Sequence, residues 1–129
     1  MTGVQTCALP IFLNEAERSE FVALIDQSPR RIISAASVLE AAMVLEGRKG
    51  ADAGADLDIF LQRAAVETFP FDEEQLELAR LAFRRYGKGK NPAGLNFGDC
   101  ISYALSRSTG EPLLYKGTDF SSTDVASAR

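Results

Sequence analysis

The chain has 129 residues, 46% of them hydrophobic and 25% charged, with a formal net charge of −4. That length supports one domain around one core, no apolar run approaches the ~20 residues of a membrane span, and the acidic balance excludes a strongly basic nucleic-acid coat while leaving room for a local basic patch. Histidine is absent, which removes Ser-His-Asp and Cys-His nucleophiles, histidine acid-base pairs and most zinc sites, and leaves carboxylate chemistry with a hard, oxygen-loving cation.

Residues 1–11 show neither a period of 2 nor one of 3.6, and Pro10 would interrupt a central strand. Asn14 to about Gln27 reads as an amphipathic helix: Asn14 and Glu17 have capping-box spacing, and Phe21, Leu24 and Ile25 form the apolar stripe. Pro29 ends it, and Arg31 to Ser34 is a short strand candidate. Ser34 or Ser37 then caps a helix reaching about Gly47, with Glu40 in or near its first turn. Arg48 to Gly54 reads as a loop, Asp56 to Ala65 as a helix and Val66 to Phe69 as a strand. After Pro70, Asp72 and Gln75 again suggest a capping box, for a helix to about Tyr86 with Gly87 at C′. Gly87 to Gly94 is an exposed loop, Asn96 caps a helix to Ser108, Gly110 stops it, and Pro112 to Lys116 is the last strand. Thr118, Asp119 and Phe120 follow, then a polar tail. Strands alternating with helices imply a parallel α/β sheet with right-handed crossovers.

Two carboxylates stand inside apolar runs. Glu40 interrupts the stretch from Ala35 to Leu45, and Asp99 the stretch from Leu95 to Leu105. A helix apolar nearly all round is a buried helix, and burying a lone carboxylate costs several kcal/mol unless it is paired or binds a metal. Ligands of parallel α/β sheets bind beyond the carboxyl ends of the strands. Glu40 and Asp119 each follow a predicted strand and Asp99 opens a helix, so the three are expected to converge. The competing reading of Glu40 and Asp99 is a first-turn acid favoured by the helix dipole. Asp119 and Asp124, taken singly, are ordinary turn residues.

Arg84, Arg85, Lys88 and Lys90 cluster around a Gly-rich loop, with Arg30, Arg31, Arg48 and Lys49 as a conceivable extension. This cluster reads either as a phosphate-backbone contact or as favourable cations at a helix carboxyl end. Cys100 has no base beside it to make it a nucleophile and reads as core. The two cysteines, Cys7 and Cys100, make no disulfide framework, so a reducing cytoplasm is the expected compartment. No secretory signal pattern is visible, and neither a GxGxxG nor a P-loop pattern is present.

Three stretches carry a family resemblance: Ser34 to Glu46, Tyr86 to Cys100, and Leu113 to Asp124. In order and spacing they closely resemble the VapC-type toxins of the PIN-domain family, over about Phe12 to Ala126. The resemblance implies a three-layer α/β fold, a parallel sheet flanked by helices. It implies a metal-dependent endoribonuclease with Mg²⁺ or Mn²⁺ on its carboxylates, often dimeric and paired with a cognate VapB-like antitoxin. Glu40 and Asp99 match the family's second and third acids. Asp119 is the best match to the fourth, with Asp124 its rival. The first acid, which ends an N-terminal strand, has no counterpart, since Val4 and Thr6 stand where the family has Asp and Ser.

The segment Gly3 to Ile11 resembles a translated sequencing adapter. Residues 1–11 are therefore expected to be non-native, with residues 12–129 forming a single PIN-like domain whose first strand is missing or damaged. Two alternatives stand beside the nuclease. One is a catalytically impaired binding module that still pairs with an antitoxin. The other is an acid-based phosphatase built on Asp56-Leu57-Asp58, disfavoured because those residues read as helix.

Overall fold

The computed structural model describes residues 4–6, 18–27, 30–89, 91–114, 123–124 and 127. Four strands make one sheet: β1 (Val4–Thr6), β2 (Arg31–Ser34), β3 (Glu67–Phe69) and β4 (Leu113–Leu114), in the order β3-β2-β1-β4. All pairings are parallel, with Gln5 opposite Ile32 on one side and Leu113 on the other, and Ile33 opposite Thr68. Parallel strands are covered on both faces and want β-branched runs; β2 supplies Ile32 and Ile33, both fully buried.

The segment expected to leave the first strand missing or damaged supplies a short strand at the centre of the sheet. Ladder bonds join backbone groups and tolerate unfamiliar side chains, and Pro10 is not among the residues of β1. Chain order reverses between β1 and β4, which makes their carboxyl ends the switch point where such sheets bind ligands. A parallel bridge from Leu113 to Ser127 brings the chain back beside β4.

Among the described residues five helices flank the sheet. Helix α1 (Arg18–Gln27) buries Ile25; the predicted cap at Asn14 lies outside the described residues. Helix α2 (Ala35–Lys49) is capped by the Ser34 hydroxyl, which accepts from the Ala36 N–H at 3.3 Å. It is not buried all round as expected. Ala41 and Leu45 face the core, while Leu39 and Met43 are 61% and 67% exposed. Its small alanines made the run look uniformly apolar, yet one stripe is all that a helix on a sheet must bury.

Helix α3 (Ala51–Arg63) starts directly after Gly50, at φ +92°, where a longer loop was expected. Gly47 and Gly54 are absorbed into the two helices, a cost of roughly 1 kcal/mol each. Packing of Leu45, Ala53, Leu57 and Leu61 against Ile33 offsets it.

Helix α4 (Glu73–Tyr86) is capped by Asp72, whose carboxylate accepts from the Gln75 N–H at 3.0 Å. Helix α5 (Phe97–Thr109) packs on β2, β1 and β4 and against α2 and α4. It buries Cys100, Ile101, Tyr103, Ala104 and Leu105, the helix nearest to the buried element that its sequence predicted. A second core cluster joins Tyr103, Ala104 and Leu113 to Ala79, Ala82 and Leu95. The two clusters share no residue, as a sheet covered on both faces requires. Among the described residues no helix is long and apolar enough to cross a membrane.

Candidate functional site

Asp99 is fixed by the start of α5. The Asn96 side chain accepts from the Asp99 N–H at 2.9 Å, and Asp99 Oδ2 accepts from the Asn96 N–H at 3.1 Å. This reciprocal box satisfies two backbone donors that a helix start leaves unpaired. Asp99 is half-buried rather than sunk alone in the core, and Glu40 is exposed in the second turn of α2. The energetic oddity inferred from sequence therefore does not exist: water and the capping bonds solvate both groups. Their placement is what carries meaning.

Glu40 reaches from α2 to the first turn of α5 and lays its carboxylate on Gly98. A Cβ added there would stand 2.8 Å from Glu40 Cδ, closer than side chains tolerate, so the approach needs glycine. The Glu40 carboxylate thus reaches, from another helix, the turn that also carries Asp99. Among the described residues no hydrogen bond or ion pair engages Glu40. The capping bond occupies one oxygen of Asp99, and a carboxylate offers about four lone-pair sites. A hard divalent cation suits this donor set, since Mg²⁺ is held by one or two carboxylates with waters and substrate phosphates filling the rest.

The other predicted acids divide. Asp119 lies outside the described residues, as does Lys90. Asp124 accepts a 2.8 Å hydrogen bond from the Tyr103 hydroxyl and pairs with Arg107 at 3.4 Å. Tyr103 is one turn beyond Asp99 on the same face of α5. Burial, first, and then the bond to Asp124 push the Tyr103 phenol up to about 12. Among the described residues no three acids, cysteines or histidines gather as a metal cluster; the third acid expected to converge with Glu40 and Asp99, Asp119, lies outside those residues. Cys100 points into the core, where burial and the neighbouring Asp99 charge push its thiol up to about 11; it is a packing residue, as expected.

Arg84, Arg85 and Lys88 are exposed at the carboxyl end of α4. The conceivable extension of this patch fails for Arg30 and Arg31, which stand at the amino end of β2, away from Glu40. Arg30 pairs with Glu111 at 3.5 Å and lies over the Phe69 ring; Arg31 donates to the Ala64 carbonyl at 2.6 Å and the Asp26 carbonyl at 3.1 Å. Both are structural. Arg48 and Lys49 close α2, at the end remote from its cap. Asp56 and Asp58 flank buried Leu57 within α3, away from any strand end, which removes the phosphatase motif.

Sequence reasoning missed a groove of about 580 Å³ between α4 and α5, bounded by Phe71, Leu76, Phe83, Phe97 and Ile101, with Arg80, Arg84 and Lys88 on its rim. The signal was present as the i, i+4, i+7 spacing of Leu76, Arg80 and Phe83 on the helix that the sequence predicts up to about Tyr86.

Comparison with known proteins agrees with this arrangement. The PIN domain family model matches residues 6–126. The chain is 47% identical over 124 residues to "Ribonuclease VapC" of Mycolicibacterium smegmatis, covering 95% of this chain and 96% of that one. It is 45% identical to "Ribonuclease VapC30" of Mycobacterium tuberculosis, covering 95% of each. Among solved structures, Mycobacterium tuberculosis VapC20, described as a sarcin-ricin loop cleaving toxin, superimposes with a TM-score of 0.75 over 96% of both chains at 18% identity, a likeness of fold. The family model over most of the chain and relatives of 45–47% identity, on a parallel sheet flanked by helices, place this chain in the PIN-domain family, among its VapC-type toxins.

Proposed function

We propose that this protein is a metal-dependent endoribonuclease, the toxin of a toxin–antitoxin pair, cleaving RNA phosphodiester bonds. The observation that carries the reading is the meeting of Glu40 with the Asp99 turn across Gly98. Glu40 and Asp99 would hold Mg²⁺ or Mn²⁺, with Asp119 as the further acid. Asp124 is the weaker choice, since Tyr103 and Arg107 already engage its carboxylate. A divalent cation there supplies the charge that activates water and stabilises the attacked phosphate. The protein's own residues orient it: Asn96 fixes the Asp99 rotamer, and Gly98 sets the reach of Glu40. Arg84, Arg85, Lys88 and Lys90 would hold the RNA backbone. A VapB-like antitoxin and a second copy of the chain are the proposed partners, in the cytoplasm.

One observation favours a second reading. Val4, which opens β1, is the position that the resemblance matches to the family's first acid, and it carries no carboxylate. Hard-cation sites depend on ligand charge, so the chain as written would be a catalytically impaired module that keeps its antitoxin surface. We attribute this to residues 1–11 being non-native, ahead of a single domain over residues 12–129.

The test is Mn²⁺ titration by calorimetry together with cleavage of single-stranded RNA, on the chain and on Val4→Asp. The nuclease reading expects Val4→Asp to tighten metal binding and raise cleavage, and a chelator to stop it. Equal, metal-independent behaviour of both would reject it.

A further inference from the structure

We propose that the groove between α4 and α5 is a subsite for single-stranded RNA, in which Phe83 and Phe97 stack nucleobases and Arg80, Arg84 and Lys88 hold the phosphates. The proposal rests on the ribonuclease reading and deepens it.

Three observations converge on this occupant. The first is charge. The protein carries 18 acidic against 14 basic residues, yet among the described residues the groove is lined by Arg80, Arg84 and Lys88 and by no carboxylate. A polyanion complements that rim. The second is the apolar lining. Phe83 and Phe97 stand 45% and 72% exposed at its edge. Aromatic faces along a cationic groove accept bases of any sequence, and arginine adds a cation-π component.

The third is continuity. Asn96 and Phe97 line the groove and also open α5. The same turn carries Gly98, which seats Glu40, and Asp99. On the α4 side the groove descends from Lys88, just beyond the helix, to Arg84, Phe83 and Arg80 on one helical face. Lys88 and Leu95 are tied by a 3.0 Å backbone hydrogen bond, which fixes the mouth of the groove beside the start of α5. A strand whose phosphate lies at the carboxylates therefore has its neighbouring nucleotide over Phe97 and the next above Phe83. A duplex, with its bases paired and stacked inward, cannot present them to these rings.

The test measures binding of a short fluorescein-labelled single-stranded oligoribonucleotide, and of its duplex, by fluorescence anisotropy. The full chain, the double variant Phe83→Leu with Phe97→Leu, and the double variant Arg84→Ala with Lys88→Ala are compared. Leucine keeps the groove apolar and filled but cannot stack. The leucine variant is expected to lose roughly tenfold or more in single-strand affinity, with unchanged elution volume, unchanged melting temperature and no change toward duplex. The alanine variant is expected to lower the salt slope by roughly 0.7 per cation removed. Unchanged RNA affinity in the leucine variant overturns the subsite. So does a leucine variant that shifts in oligomeric mass, or loses a protein partner, while RNA affinity holds; either result gives the groove to a protein. The wider reading fails separately: if Val4→Asp cleaves RNA equally well after Asp99→Asn, the carboxylate site is wrong whatever the groove binds.

Discussion

Replacing Gly98 by alanine separates stability from function at one atom. The new Cβ would stand 2.8 Å from Glu40 Cδ, while ordinary contact begins at 3.4 Å. The Glu40 carboxyl must therefore retreat by about 0.6 Å or more from the Asp99 turn. Its side chain is flexible and exposed, so the retreat costs the fold little. Gly98 has no positive φ, and alanine is the better helix former, so the exchange contributes up to about 1 kcal/mol in favour of the folded state. The melting temperature should hold or rise by a few degrees. The site should suffer, because displacement of a positioned group by about 1 Å costs on the order of a hundredfold in rate. We expect Gly98→Ala, on the Val4→Asp background, to lose roughly tenfold or more in RNA cleavage with weaker Mn²⁺ binding by calorimetry. A variant that melts normally, binds Mn²⁺ normally and cleaves at full rate would refute the placement of Glu40.

Asn96→Ala should cost about 1 kcal/mol, read as a lower urea midpoint, because the helix start loses the reciprocal bonds to Asp99. Cleavage should fall with it, since Asp99 loses the partner that fixes its rotamer. Tyr103 has its phenol raised from 10 to about 12 in the folded state, so the protonated phenol's contribution to stability is complete below pH 10 and is lost as pH rises through about 12. Tyr103→Phe should flatten this alkaline fall in a pH series of chemical denaturation. In a Cys7→Ser background Cys100 should resist alkylation at pH 8 and react promptly in denaturant, because its thiol is buried and pushed up to about 11.

Much of the fold was legible because its punctuation is chemical. Asp72 and Asn96 were read as caps and are caps, and of the two candidates Ser34 and Ser37 it is Ser34 that caps. Strands at Arg31–Ser34 and Glu67–Phe69 fell where short β-rich runs follow prolines or helices. The joint at Gly50 was misread because glycine signals backbone freedom and not its use; packing of Leu57 and Leu61 kept Gly47 and Gly54 helical. At the site, sequence chose Glu40 and Asp99 for a physical reason that fails. Burial of a residue run does not fix burial of each member, and a capping carboxylate stays near water. Their proximity depends on Gly98, whose role no local pattern announces. The α4–α5 groove was illegible for a related reason: helical spacing gives a face, and only the tertiary packing decides whether that face is covered.

The most direct measurement is the rate of single-stranded RNA cleavage in Mg²⁺ by Val4→Asp and by Val4→Asp with Asp99→Asn. Removing a charge that stabilises the reacting centre costs on the order of 10²–10³ in rate. The account predicts a loss of that size, with an unchanged melting curve. Undiminished cleavage after Asp99→Asn would contradict it.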